Sequence, residues 1–467
     1  MTVAQRPRPV YVLGAGFSRA VSAAMPLTDE LGATVKSRLR GLILEDLSPD
    51  MTFEDWLSLR VAELPFLQGW DVSRRRADAE RVIAEIASVL DERVAQATSE
   101  ACPEWLIQLV GLWHAERAVV ITFNYDTLVE RAVNQAQMVA IERGRSAMVF
   151  ADQVVTPAPP GPPALMRADE AVPVAGSFTL MKLHGSLNWY WSAGDPTGST
   201  LTRTRERGLF GAQSLIEEAT DFGGTRTLDR FLIPPVSIKN EYYSPYLTHT
   251  LWRSAFQALQ SAGRLTLMGY SMPKTDQVGT QLLVPIPPSA AVEVVDVGPG
   301  EPDDRMSLIS RASRLNGSNP LSWSGPSCLP AYVAHRVGDA AAGLRMELQG
   351  GDLENVLVAF PVGKGLNATP TLFTLVDAHE GELQVADLDN NGINRSEMPP
   401  IEMSLQIQPR GRYSLEQFMT VGRLRSYLAA GHRPMIRSAY GRSSAVGAEA
   451  LRIGPWDLTV LAHIPLS

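Results

Sequence analysis

With 467 residues, 45% of them hydrophobic and 20% charged, the chain can bury a substantial core. At roughly one domain per 100–200 residues it should hold two or three units. A formal net charge of −8 gives no global electrostatic reason to bind nucleic acid. Two cysteines, Cys102 and Cys328, exclude a four-thiolate zinc site and a disulfide-stapled fold. No uncharged apolar run reaches the roughly 18 residues that a membrane span needs, so the chain reads as soluble and cytoplasmic, with no membrane partner.

Val10–Leu13 is a short apolar run that predicts a buried parallel strand, and it stops at Gly14-Ala15-Gly16-Phe17-Ser18. Glycines on either side of Ala15 let the backbone turn tightly and approach a ligand that a Cβ would push away. Ser18 can cap the next helix or meet a phosphate. The dinucleotide fingerprint is incomplete, because Arg19 stands at its last glycine, so the turn alone reads equally as a plain strand-to-helix connection. Thr28 is the expected cap of a helix with Asp29 and Glu30 in its first turn. Leu27, Leu31, Val35 and Leu39 would form its apolar face. Three more helices are expected over 54–67, 77–94 and 103–112, with Trp56, Trp105 and Trp113 packed in cores.

Ala118–Phe123 is the clearest buried-strand signal, and it ends in Asn124-Tyr125-Asp126-Thr127 before a helical pattern begins at Leu128. Polar residues at the carboxyl end of a parallel strand face the crevice where open α/β sheets bind ligands. The plainer alternatives are a helix cap at Asp126 and a closed turn at Asn124. Phe178–Leu183 has the same grammar and leads into His184-Gly185-Ser186, where a histidine can exchange a proton near neutral pH. Leu265–Met268 leads into Gly269-Tyr270-Ser271, and a fourth run from Val292 reaches Asp296 and Gly298. Four strands ending this way predict one sheet whose carboxyl edge lines a pocket.

The remaining segments carry less. Thr156–Pro163 is too rich in proline for a helix or central strand and reads as an exposed excursion. Arg203, Arg205 and Arg207 read as a solvated face. A helix is expected over 248–262, where His249 and Trp252 receive no catalytic role. Composition turns to Gly, Pro, Ser and Asn after Gly298, placing a linker over 301–330 and a smaller accessory α+β or β-rich domain over 331–467. Strands are expected there over 355–360, 371–376 and 458–463, and a helix over 415–429. Asp387, Asp389, Asn391 and Gly392 open a calcium-loop pattern, but Met398 stands where the closing glutamate is required, so no metal is expected.

Gly14-Ala15-Gly16-Phe17-Ser18, Met25-Pro26, Phe123-Asn124-Tyr125-Asp126, Leu183-His184-Gly185-Ser186 and Gly269-Tyr270-Ser271 occur in sirtuin order over roughly residues 8–300. In this the chain resembles the SIR2-like effector domains of bacterial anti-phage defence systems. The resemblance implies an α/β fold, with a Rossmann-like parallel sheet and helical insertions, that uses NAD as substrate. It places Gly14, Ala15, Gly16 and Ser18 at the dinucleotide phosphates and Asn124 beside the nicotinamide ribose. Asp126 falls in the nicotinamide pocket, and His184 at the catalytic histidine. Gly269 and Ser271 fall in a later nucleotide-contacting loop, and Asp296 at the adenosine ribose. Phe123, beside Asn124, is also placed among the cofactor-binding residues, at a position where protein-deacylating members commonly carry glutamine. That departure, with the missing zinc cysteines, turns the expectation from deacylation to NAD+ glycohydrolysis, giving nicotinamide and ADP-ribose in a regulated abortive-infection effector. The alternatives are an NAD or ADP-ribose sensor without turnover and an NAD-dependent ADP-ribosyltransferase or deacylase. A homo-oligomer is expected, with a separate ATPase, a phage-protein sensor or an argonaute-type protein as candidate partners.

Overall fold

The computed structural model describes residues 7–39, 51–62, 64–136, 139–142, 145–156, 177–191, 202–204, 206, 208–211, 229–236, 246–273 and 276–336, and short strands between 356 and 445. In chain order the first half runs β1 (Pro9–Leu13), α1 (Ala15–Val21), α2 (Thr28–Arg38), α3 (Phe53–Val61), α4 (Gly69–Thr98), α5 (Glu104–Glu116), β2 (Val119–Thr122) and α6 (Leu128–Ala136). A hairpin of β3 (Val139–Glu142) and β4 (Arg145–Met148), then α7 (Ala151–Val154), precede β5 (Thr179–Lys182). Next come β6 (Gly185–Trp191), β7 (Thr202–Arg203), β8 (Asp229–Leu232), α8 (Tyr246–Gln260), β9 (Arg264–Met268), α9 (Gln277–Leu283), β10 (Ala291–Val295), α10 (Leu308–Asn316) and β11 (Leu321–Trp323).

The central sheet has the order β11-β10-β9-β1-β2-β5, and every pairing in it is parallel. Going along the chain, the sheet grows from β1 through β2 to β5, then returns to the other side of β1 with β9, β10 and β11. This is the Rossmann strand order, and its direction reverses between β1 and β9. The strands are near-continuous apolar runs because helices cover both faces: Val10–Leu13, Val119–Thr122 and Leu265–Met268 are buried throughout. On one face, Trp113 of α5 is fully buried against Tyr11 of β1 and Phe178, with ring centroids 5.6 Å apart in each pair. Phe17 of α1 joins them and meets Trp105 edge-on at 5.8 Å. The core placement expected for these tryptophans is what the fold shows.

Boundaries moved for local reasons. Thr28 is the first residue of α2 rather than its cap; the N–H of Leu27 is satisfied by the Glu30 carboxylate at 3.2 Å. Leu31 and Val35 are buried as expected, whereas Leu27 is 40% exposed. The helix expected over 54–67 ends at Val61, ahead of Pro65, which biases its predecessor away from helical backbone. The next helix is longer than expected: Ala79, Val82, Ile86, Val89, Leu90, Val94 and Ala97 keep one face of α4 buried from Ala79 onward, and its first turns, over 69–78, extend without buried residues.

The expected linker over 301–330 is corrected. It contains α10, and it contains β11, which pairs in parallel with β10 as the sixth strand. Residues 328–336 are helical, and Cys328, Leu329, Tyr332 and Val333 are buried in the same core. The glycines that suggested a linker are turn residues: Gly317 caps α10 at φ 75°, and Gly325 sits at φ 87°. Beyond this helix, the strand at Val356–Ala359 falls within the first expected run, while Val376–Asp377 meets the second at Val376 alone, the rest of that run lying outside the described residues. The third run, 458–463, lies outside the described residues. The helix expected from 415 starts where strands occur instead, at Tyr413–Leu415 and Phe418–Thr420. In the calcium-like stretch, Asp387–Asp389 pairs antiparallel with Gly392–Asn394. Among the described residues no helix is long and apolar enough to cross a membrane.

Candidate functional site

The reversal between β1 and β9 brings two glycine turns together. Gly14 N–H donates to Met268 O at 3.1 Å and Gly16 N–H to Gly269 O at 3.0 Å. A Cβ on Gly14 would sit 2.6 Å from Gly269 O, and one on Gly269 would sit 2.2 Å from Phe17 N. Gly269 also adopts φ +56°, which favours glycine. The close approach that the glycines permit is therefore first an approach of two loops. Phe17 N–H turns back to Gly14 O at 2.9 Å, which leaves Ala15 N–H, ahead of the helical ladder, as the donor of this turn not spent on the chain. Arg19, in place of the last fingerprint glycine, binds Ala23 O and Met25 O, both at 2.8 Å, and pairs with Glu30.

Asn124 and Asp126, on the loop after β2, close on the same turn through Ser18. Asn124 Nδ2 donates to Gly14 O at 2.8 Å and to Ser18 Oγ at 2.9 Å. A carbonyl oxygen can only accept, so Gly14 fixes which way the amide faces. Ser18 Oγ, already accepting, gives its one hydrogen to Asp126 Oδ2 at 2.6 Å, and Asp126 Oδ1 takes the Leu128 N–H at 3.1 Å. The relay runs one way, from Asn124 through Ser18 to Asp126. Ser18 is thus no helix cap: it lies within α1, is buried, and its hydroxyl hydrogen belongs to Asp126. Asp126, by contrast, does hold the first turn of α6, as the plainer reading allowed.

His184 follows β5 and is 7% exposed. Its carbonyl accepts from Ile233 N–H at 2.9 Å, and Gly185 turns at φ +82° under Phe231, whose carbonyl oxygen would be 2.0 Å from a Cβ there. Three aromatic rings wall the imidazole: Phe123 at 5.0 Å, Trp252 at 6.2 Å and Tyr125 at 6.3 Å between centroids. Two of these rings are pinned to backbone, Tyr125 Oη to Ile233 O at 2.6 Å and Trp252 Nε1 to Leu183 O at 3.3 Å. Tyr270, from the β9 loop, stacks on Phe123 at 4.7 Å and donates to Asp276 Oδ2 at 3.1 Å. Phe123, Asn124, Asp126, His184 and the two glycine turns therefore form one constellation around the switch point.

Ser271 and Asp296 lie farther along the same edge, after β9 and β10. Ser271 is exposed, and Asp296 is half-buried with its carboxylate accepting from Gly298 N–H at 3.0 Å. Trp252, Tyr270 and Lys182 belong to the site although sequence reading gave them no role. Lys182 is 1% exposed at the end of β5; its ammonium donates to Asp126 O at 2.6 Å and to Glu130 Oε1 at 2.7 Å. Burial pushes the Glu130 carboxyl above its ordinary range, against the pull of Lys182. A lysine inside an otherwise buried run was the available signal, since such residues are almost never fully buried unless paired. Trp252 carried no comparable mark.

Arg203 does not belong to a solvated face. Its side chain is buried and donates to Asp152 O at 2.8 Å; Arg205 and Arg207 lie outside the described residues. Burial pushes the Cys102 thiol up to about 12, which argues against a reactive thiolate. Among the described residues, no group of three or more His, Cys, Asp or Glu side chains could hold a metal ion.

No family model matches the chain, and no curated protein matches it. Solved structures of Sir2 proteins do. A Sir2 homologue mutant in complex with 2'-O-acetyl ADP ribose is 14% identical, with a TM-score of 0.37 over 72% of this chain and 95% of that one. A Sir2 homologue mutant in complex with ADP ribose is 14% identical, with a TM-score of 0.36 over 73% and 96%. A Sir2–p53 peptide–NAD+ structure is 12% identical, with a TM-score of 0.32 over 72% and 95%.

Proposed function

We propose that the chain is an NAD+ glycohydrolase that cleaves the bond between nicotinamide and its ribose. The observation that carries the reading is the convergence of His184 with Asn124 and Asp126 at the switch point of a sheet in Rossmann order, the place where such sheets bind nucleotides. The residues suit the nicotinamide-ribose end of that substrate. Asn124 spends its Nδ2 on Gly14 and Ser18, so its Oδ1 is turned over to a ribose hydroxyl or water. Asp126 takes one chain donor on each carboxylate oxygen, and a carboxylate has roughly four acceptor sites, so it can also take the nicotinamide amide N–H. The faces of Phe123, Tyr125 and Trp252 favour a pyridinium cation and keep bulk water from His184. For the phosphates the fit is narrower: Ala15 N–H is what the first turn offers.

In the reaction the C1′–N1 bond breaks with its electron pair returning to the pyridinium ring, which leaves as neutral nicotinamide. A water oxygen bonds to C1′, and His184 accepts the proton that water loses. The enzyme's part is to orient the ribose and to stabilise an oxocarbenium-like transition state. Through its resemblance to defence effectors, the proposal extends to NAD depletion during phage infection by a homo-oligomer gated by a separate ATPase, a phage-protein sensor or an argonaute-type protein.

Incubation of purified protein with NAD should yield nicotinamide and ADP-ribose in equal amounts with no acceptor added. Saturable NAD binding without nicotinamide at any protein concentration would instead support a sensor. Release only upon addition of an acylated or nucleophilic acceptor would support group transfer.

A further inference from the structure

We infer that Lys182 is a positioning residue that sets the spacing between the two halves of the site; the inference rests on the glycohydrolase reading for its kinetic consequence but not for its structural one. Asn124 and Asp126 come from the end of β2, and His184 from the end of β5. These strands are neighbours, with Thr122 paired to Lys182 in register. Lys182 stands two residues before His184 on the backbone, yet its ammonium reaches the other loop, donating to the Asp126 carbonyl at 2.6 Å. Its second bond, at 2.7 Å to Glu130, is to the first turn of α6, the turn whose Leu128 N–H is held by Asp126. One buried side chain thus ties the strand carrying His184 to the backbone of the residue that receives the Asn124–Ser18–Asp126 relay. From the opposite side the loop is held by Ser18 and Gly14; on the β5 side Leu187 N–H and Ser186 Oγ hold the Tyr125 carbonyl at 2.9 and 3.3 Å, and Lys182 is the side chain of β5 itself that clamps Asp126.

The ammonium has three donors, so the Asp126 carbonyl also satisfies a donor that Glu130 leaves over, and the two roles have to be separated by substitution. Replacing a buried pair by uncharged groups of similar shape is often neutral for stability. Methionine at 182 keeps the stem and loses the donor, while glutamine at 130 removes the charge left behind. The double variant Lys182→Met/Glu130→Gln therefore removes clamp and pair without leaving an unpaired charge, and Glu130→Gln alone, which keeps Lys182 on the Asp126 carbonyl, gives the effect of the pair. Removing only Lys182 would leave a buried carboxylate and confound the two.

The test compares this double variant with the wild-type chain by thermal unfolding, by hydrogen exchange and by nicotinamide release. The expected result is a folded variant whose Leu128 amide exchanges about tenfold faster while the β1 amides are unchanged. Its kcat should fall at least about tenfold with KM for NAD within about threefold, the mark of an interaction made in the transition state. Unchanged exchange at Leu128, or unchanged kcat in an active wild-type background, would overturn the clamp. A wild-type chain that releases no nicotinamide would count against the glycohydrolase reading alone, because the exchange measurement still decides the role of Lys182. If the double variant fails to fold, Lys182→Met/Glu130→Leu, which likewise leaves no buried carboxylate unpaired, is read by the same exchange experiment, and loss of protection spread evenly over the sheet would also overturn the clamp.

Discussion

Glu130 is the residue where burial and charge oppose each other most plainly. Its carboxyl is buried beside Lys182, and burial wins, so its folded pKa stands above the ordinary value of 4.5. A raised acid binds its proton more tightly folded than unfolded. Its stabilising contribution is present below 4.5 and is lost as pH rises through the folded pKa. Urea unfolding of wild type and Glu130→Gln at stepped pH should show the wild type losing stability relative to the variant as pH climbs from 4.5. A constant difference across that range would contradict the assignment. At this scale the sequence was informative where polar residues end a clear pattern: His184 follows one apolar run, and Asn124 and Asp126 lie in the loop after another. It was silent where the role depends on a partner far along the chain. Trp252 reads as an ordinary helix residue until α8 lays its ring beside His184. Ser18 reads as a cap until Asp126, 108 positions away, claims its hydrogen.

Among the elements, the contact between the β1 and β9 turns governs the site, because both glycine loops and the aromatic stack on Phe123 hang on it. Gly269→Ala would place a Cβ 2.2 Å from Phe17 N at a φ of +56°, and neither backbone can yield without moving the other. We expect a loss of about 1–3 kcal/mol in chemical denaturation from backbone strain alone, with NAD affinity falling in the same variant. Wild-type stability and affinity in Gly269→Ala would show that the two turns are not coupled. Strands β1, β2, β5, β9 and β10 were legible because a sheet covered on both faces requires uninterrupted apolar runs. Strand β11 was not: its three residues are only partly covered, and glycine-rich turns flank it. A linker and a short edge strand with tight turns have the same composition, and only the pairing of Glu293 with Leu321 separates them.

For the whole molecule, the strand order explains why residues from β1, β2, β5 and β9 can share one site, since the reversal leaves a crevice at their carboxyl ends. The order itself could not be read from the chain; the four strand-end motifs indicated a common edge without saying which strands are neighbours. The fold also reaches farther than the motifs do, to the helix over 328–336, whose Tyr332 Oη donates to Glu293 of β10 at 2.8 Å. Any truncation intended to isolate the catalytic part should therefore retain residues through 336. Whether this edge cleaves NAD with His184 as its base is decided by nicotinamide release from wild type and His184→Ala at matched NAD saturation. A base at His184 requires kcat to fall about 10²–10⁴-fold in a variant that still folds and binds NAD within about threefold. Release at the wild-type rate by folded His184→Ala would contradict it.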